Sequence, residues 1–380
     1  MKAILKLWLQ DTWAYELFSR FKGRQQEHAF SQLLLNAYQG YSGTSTSESH
    51  LLSLVAQRRP ISNRPRVVGF GHDAWEQYGL WPTFRRISDF HHVSVDLNSN
   101  SWGAGYRKQA GECLLKKIDE LDNQQPVEMV FMYCDSSFID PDTLRKLAER
   151  GIWTVMMGLD DKHKFAERVE HGMRVGQSLV APLVDLYWTT WKAGLPLFVK
   201  IGARSLYLAE GADPEFHRPL HLERDIDVLF LGQCYGRRSH LIRYLSAQGF
   251  DVQAYGRGWP NGFVTFEKSV ELINRAKVVL GVGDVGHMSG VQHLKGRDFE
   301  VPMCGALYLT SYNHELADWY DIGREILCYS SQENCAEVLH WILGDAEKQE
   351  SIRNAAIQRC LKEHTWEQRL QRVFNCLRHA

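Results

Sequence analysis

The segment LKGRDFEVPMCGALYLT, residues 294–310, decides how the chain is read. It opens with two basic residues, Lys295 and Arg297, and carries one acid, Glu300, inside an otherwise apolar run of helical character. Pro302, Cys304 and Gly305 are expected to break that run, since proline lacks an amide donor and glycine tolerates the backbone of a helix end. Residues 306–310 are short and apolar, the pattern of a strand buried in a parallel sheet. A short helix with Arg and Glu that hands over to such a strand places both residues near the crevice of an α/β sheet, where ligands bind. Taken alone, the Arg297/Glu300 spacing also describes an ordinary i, i+3 ion pair on a helix face.

Working outward, residues 227–232 read as a buried strand ending in Gly232, followed by Arg237, Arg238 and a helix over 239–248. A glycine-bearing turn at a helix N-terminus suits an anion, and two arginines suit phosphate oxygens; a solvated basic helix start is the plainer reading. Strand 252–256 ends in Gly256, helix 267–275 follows, and strand 278–283 ends in Gly283. Tyr255 or Trp259 could stack on a base, although packing is the commoner use of such residues. Residues 284–293 read as a loop that could close over a ligand. A last strand at 325–329 precedes helices at 332–343 and 345–362. Thr365-Trp366-Glu367-Gln368 is a capping box, and Trp366, Leu370, Val373, Phe374 and Leu377 form one apolar stripe.

The N-terminal half repeats the alternation. Strands are expected at 66–70, 92–97, 127–134, 151–157 and 183–190, with a helix at 104–121 and another opening at Asp140-Pro141. Alternating strands and helices mean a doubly wound parallel sheet. His72 and Asp73 follow the first strand, where either could act as a general base, or serve as a cap or surface residue. Asp160-Asp161 follows the fourth strand and reads either as a ligand-facing acid pair or as a cap for the next helix. Residues 1–60 read as a helix with Ile4, Leu5, Trp8, Leu17, Phe18 and Phe21 on one face, then a polar loop over 42–50. Packing on its own domain is favoured over an interfacial membrane helix anchored by Trp8 and Trp13.

With 380 residues the chain suits two domains. It is 44% hydrophobic and 23% charged, with a formal net charge of -1, so no global basic field attracts nucleic acid. The eight cysteines form no C-x-x-C pair and read as reduced core thiols of a cytoplasmic protein. Lys6 and Asp11 interrupt the N-terminal apolar patch, which argues against a signal peptide, and no run is long enough for a transmembrane helix.

The pattern R-x-F-E-x-x-x-C-G, carried by Arg297, Phe299, Glu300, Cys304 and Gly305, resembles bacterial glycosyltransferases related to the spore-maturation protein CgeB. The acid pair Asp160-Asp161, Thr189-Thr190 and Gly211-Ala212-Asp213-Pro214 extend the resemblance into the N-terminal half. It implies a GT-B fold: two Rossmann-like, doubly wound parallel-sheet domains facing a cleft. The boundary is expected near residue 220, with an acceptor-side domain at 1–220 and a donor domain at 221–380. The last helix, 365–378, is expected to cross back. The implied reaction moves a sugar from a nucleotide-diphosphate donor, with a UDP-sugar favoured, to a surface glycan, protein or small molecule, without a cofactor. The donor-binding set is then Gly232, Arg237, Arg238, Gly256, Gly283, Arg297 and Glu300, with Glu300 on the ribose. His72, Asp73 and Asp161 are the catalytic candidates. No metal is expected, because the two Asp-x-Asp strings, Asp140/Asp142 and Asp225/Asp227, sit at a helix start and a strand start rather than on a loop. One departure stands out: retaining relatives often carry a second glutamate eight positions before the ribose acid, and this chain has Gln292 there. A non-catalytic nucleotide-sugar-binding protein and a GT-B-type epimerase are the competing readings. Peripheral membrane contact and the oligomeric state stay open at this level.

Overall fold

The computed structural model describes residues 13–38, 58–96, 103–158 and 160–378, with the side chains of residues 20–36 in the first segment. Ile4, Leu5, Trp8, the loop over 42–50 and the side chains of Trp13, Leu17 and Phe18 lie outside the described residues. The chain divides into two compact units, Leu33–Ala209 with Trp366–Ala380, and Met1–Gln32 with Glu210–Thr365. Residues 210–220 thus fall with the later unit, where the sequence places the boundary near 220. The eight cysteines are free thiols. Among the described residues, no helix is long and apolar enough to cross a membrane.

The first unit is built on six parallel strands: β1 (Arg66–Gly71), β2 (Asp89–Ser94), β3 (Met129–Tyr133), β4 (Trp153–Met157), β5 (Leu186–Thr189) and β6 (Ser205–Tyr207), in the order β2-β1-β3-β4-β5-β6. β3 and β4 are buried along their whole length, which is why MVFMY and WTVMM are apolar without alternation. β2 starts three residues before the expected 92–97, because its register on β1 pairs Asp89 with Arg66, joined by a 2.6 Å ion pair. An edge strand needs one neighbour only, so polar Asp89, His91 and His92 can belong to it. The expected strand 183–190 is shortened, since residues 181–183 form a 3-10 turn. A hairpin, Arg168–Glu170 with Met173–Val175, and strand β6 were not anticipated. The C-terminal helix Trp366–Arg378 belongs to this unit and buries the anticipated stripe of Trp366, Leu370, Val373, Phe374 and Leu377. Phe374 meets Phe84 at 6.2 Å between ring centroids, and Phe84 stacks on Phe90 at 5.2 Å.

The second unit carries five parallel strands: β7 (Ile226–Leu231), β8 (Val252–Tyr255), β9 (Ala276–Gly281), β10 (Leu307–Ser311) and β11 (Leu327–Tyr329), in the order β8-β7-β9-β10-β11. Residues 284–293, expected as an open loop, instead contain a hairpin of Asp284–Val285 and Met288–Gln292. Gly286, at φ +58, supplies the left-handed turn residue. The helix Trp13–Tyr38 touches this hairpin: Glu27 accepts the Gly290 amide at 2.8 Å, and a Cβ on Gly23 would lie 2.3 Å from the His287 carbonyl oxygen. Phe21, expected on a buried face, is 63% exposed.

Pro302 does not break the central helix, which runs Arg297–Met303. A proline at 302 cannot bond the carbonyl of Asp298, four residues back. The Tyr320 hydroxyl takes over and donates to that oxygen at 2.8 Å, so the helix keeps its last turn. Gly305, at φ +67, then releases the chain into β10. Both sheets reverse their order of strand addition after the first strand, between β1 and β3 and between β7 and β9. Crevices at such switch points hold ligands at the carboxyl ends of the strands. Tyr320→Phe is expected to strand the buried Asp298 carbonyl and lower stability by about 1–3 kcal/mol. Urea unfolding of the full chain measures this, and an unchanged midpoint would contradict the assignment.

Candidate functional site

At the carboxyl end of β7, Gly232 adopts φ +154, a conformation side chains rarely allow. Two guanidinium groups close on it. Arg238 opens the helix Arg238–Ala247, and Arg297 opens the helix Arg297–Met303. Arg297 donates to the Leu231 carbonyl, and Arg238 donates to the Gln233 carbonyl at 3.1 Å. A Cβ on Gly232 would lie 3.0 Å from Arg297 Nη1 and 3.4 Å from Arg238 Nη1. Arg238 is buried, its guanidinium lies 4.1 Å over the Tyr235 ring, and its Nε has no hydrogen-bond partner. Burial and the nearby Arg297 charge hold Arg238 below the usual arginine range. Among the described residues, neither arginine has a carboxylate at ion-pair distance. Guanidinium pairs of this kind suit phosphate oxygens, which makes this the candidate anion site.

Arg237 differs from its neighbour. It makes a two-pronged pair with buried Asp284, at 3.0 and 2.7 Å. Asp284 also accepts from the Gln292 amide at 2.7 Å, Gln292 accepts from Ser311 Oγ at 2.6 Å, and Ser311 accepts from the Gly283 N–H at 2.8 Å. Arg237, Gly283 and Gln292 are therefore engaged within the protein, where they tie the hairpin to the strand ends. Gly256 serves a backbone contact: at φ +129, its Cβ would lie 2.3 Å from the Gly232 carbonyl oxygen. Trp259 Nε1 donates to that same oxygen at 2.7 Å, which occupies the indole edge.

Glu300 does not form the ordinary pair with Arg297, which is turned to β7. Its carboxylate lies 3.8 Å from Nε2 of buried His217 and 3.1 Å from where a Gly296 Cβ would stand. Glu210 Oε2 lies 2.9 Å from the same point, so two carboxylates gather over Gly296. Burial pushes the His217 imidazole below its ordinary value. Both Asp-x-Asp strings have structural partners. Asp140 caps its helix by accepting from the amides of Asp142 and Thr143, Asp142 pairs with Arg145, Asp225 with Arg275, and Asp227 with Lys277.

In the first unit, His72 follows β1 at the switch point and is buried. Its Nδ1 lies 3.1 Å from Oε2 of Glu76, and its ring meets Tyr133 of β3 edge-on at 5.5 Å. The sequence reading missed Glu76, although its i, i+4 spacing from His72 was the available signal. Asp73 is exposed. Asp161 is neither a helix cap nor an open acid: it is fully buried and accepts from Tyr187 Oη at 2.7 Å and Thr189 Oγ1 at 2.5 Å. Those hydroxyls on β5 draw the side chain inward, while Asp160, at φ +52, occupies the cap position without a side-chain cap bond. Burial pushes the Asp161 carboxyl up to about 6.

Residues 237–375 match the family model described as glycosyl transferase-like, and Arg237, Arg238, Arg297 and Glu300 all lie within the matched segment. No curated protein matches the chain. Among solved structures, the catalytic domain of starch synthase IV from Arabidopsis thaliana, bound to ADP and acarbose, superposes with a TM-score of 0.59 at 7% identity, over 83% of this chain and 99% of that one. Sucrose-phosphate synthase from Thermosynechococcus elongatus gives 0.57 at 12% identity, over 82% and 98%. The Anabaena HepE protein in complex with UDP and glucose gives 0.53 at 10% identity, over 82% and 100%. With its two parallel α/β sheets, the chain has the GT-B fold of these proteins.

Two tests follow from this geometry. Gln292→Glu sets a second carboxylate against Asp284 and removes an amide donor, so stability should fall by about 1 kcal/mol or more. Amide exchange should speed up across the hairpin, and unchanged exchange there would contradict the network. The second concerns pH. A carboxyl raised in the folded state adds stability that is fully present below the unfolded value, 3.8, and is lost as pH rises through about 6. Asp161→Asn should therefore flatten stability against pH in that window, measured by urea unfolding from pH 4 to 7. An unaltered profile would contradict the burial argument.

Proposed function

We propose that the chain is a glycosyltransferase that takes its sugar from a nucleotide diphosphate donor, with a UDP-sugar as the preferred donor. The observation that carries this reading is the pair of arginines, Arg238 and Arg297, at Gly232 without carboxylate partners among the described residues, inside the part of the chain that matches a glycosyl transferase-like family. Fixed guanidinium groups aimed at a leaving diphosphate stabilise charge as it develops. They do so without the Asp-x-Asp metal ligands, whose strings here have other partners, and we propose a metal-independent reaction. Glu300 would accept from the ribose hydroxyls, since an ionised carboxylate is an acceptor for such a diol. Arg237 would act at one remove by holding the hairpin.

The pattern from Arg297 to Gly305 supports the CgeB-like subtype, and the complex of the Anabaena protein with UDP and glucose supports uridine as the base. Eight free thiols fit a reducing, cytoplasmic setting. His72, at the switch point of the first unit, is the proposed base for an acceptor hydroxyl, and exposed Asp73 would contact that acceptor.

A thermal-shift screen of the full chain with UDP, GDP, TDP, CDP and ADP tests the reading. A ligand at 100 times its dissociation constant stabilises by about 2.7 kcal/mol. One nucleotide should stabilise the wild type, and Arg238→Ala and Glu300→Ala should lose that gain relative to their own ligand-free proteins. No gain with any nucleotide would count against the donor site. Binding without release of nucleotide from any activated sugar would favour a non-catalytic binding protein.

A further inference from the structure

The turn after β1 holds a buried acid that the donor site does not use. Glu76 keeps 3% of its side-chain surface exposed and His72 keeps 8%, with 3.1 Å between Oε2 and Nδ1. Glu76 Oε2 also accepts the Ala74 N–H at 3.0 Å, which aims the carboxylate. Its Oε1 is buried without a hydrogen-bond partner, and no Lys or Arg pairs with it among the described residues. A buried carboxylate is costly unless its oxygens find hydrogen-bond donors, and a proton on His72 Nδ1 is the side-chain donor placed to serve it. The residue is held from other sides as well, at its backbone and at its ring. Trp81 Nε1 donates to the His72 carbonyl at 3.2 Å, and Tyr133 packs edge-on. Among the described residues, other titratable groups around the turn include exposed Asp73, Arg85 and His92 of β2, whose Nε2 lies 3.1 Å from the Gly71 carbonyl.

We propose that Glu76 is a positioning residue that holds His72 in the tautomer with the proton on Nδ1, leaving Nε2 to take a proton from the acceptor hydroxyl. This rests on the transferase reading above. Nδ1 makes no aligned hydrogen bond in this structure, as is common before substrate binds. In the step, the acceptor O–H bond breaks and its proton moves to Nε2. The freed oxygen pair forms the bond to the anomeric carbon. The bond from that carbon to phosphate breaks, and its electrons leave on the nucleoside diphosphate. The resulting imidazolium is balanced by the Glu76 carboxylate until it returns the proton to solvent. A third group orienting the base is the general logic of such pairs.

The test uses the full chain labelled with nitrogen-15 histidine, with His72 assigned by comparison with His72→Gln. Long-range proton–nitrogen spectra at neutral pH should show the proton on Nδ1 of His72 in the wild type. Glu76→Gln, which offers an amide donor of the same shape, should move it to Nε2. With UDP-glucose as probe donor and water as acceptor, Glu76→Gln should lower kcat at least about tenfold and leave KM nearly unchanged. The same His72 tautomer in both proteins would overturn the proposal whatever the activity. A shifted tautomer with unchanged kcat would overturn the catalytic half of it. Absence of turnover in the wild type itself, with nucleotide-activated sugars of every base, would instead overturn the transferase reading and this step with it.

Discussion

Two like charges meet at one glycine. Arg238 and Arg297 each rest on a backbone carbonyl at the end of β7, and neither is neutralised by a carboxylate among the described residues. Holding such cations in a partly desolvated place is unfavourable until an anion arrives, and this is the physical basis of the diphosphate site proposed above. Gly232 makes the approach feasible, because any side chain there would crowd both guanidinium groups. Trp259 bonds the Gly232 carbonyl from the other side, and Gly256 leaves room for that carbonyl's close approach. Arg237, one residue away, has the opposite electrostatic state: paired with Asp284, it is a structural tie to the hairpin.

The two units share a local device. Each has a glycine at the end of one strand, a tyrosine on the neighbouring strand and a buried aspartate that accepts from that tyrosine's hydroxyl. In the first unit these are Gly158, Tyr187 and Asp161; in the second they are Gly281, Tyr308 and Asp298. A Cβ on either glycine would lie 2.2 Å from the tyrosine oxygen. Burial raises both carboxyls to about 6, so both act in the same direction on stability as pH falls. This explains why Asp161, which reads in sequence as either a ligand-facing acid or a helix cap, has a packing role, as does Asp298 beside Arg297.

The alternation of strands and helices was legible because β3, β4 and β10 are buried along their length, and β7 and β9 beyond their second residue are mostly so, and these stretches are written as apolar runs. β6 was not, since its three residues include the polar Ser205, follow Arg204 and carry too little hydrophobic signal. The edge strand β2 was displaced in the reading for the same reason. The central helix was placed correctly, but the fate of Pro302 depended on Tyr320, eighteen positions away and invisible to local rules. Within the site, Arg237 and Arg238 are indistinguishable as letters; the partner of the first, Asp284, comes from a hairpin whose pairing no local pattern shows. Glu76 was overlooked because a lone glutamate near a histidine is most often a surface residue.

The central claim is that Arg238 and Arg297 receive the donor's diphosphate. The structure of the full chain with UDP bound tests it most directly. The account predicts phosphate oxygens within hydrogen-bond distance of both guanidinium groups beside Gly232, with the Arg237–Asp284 pair intact. A diphosphate seated on Arg237, with Asp284 displaced and Arg238 still on the Gln233 carbonyl, would contradict it.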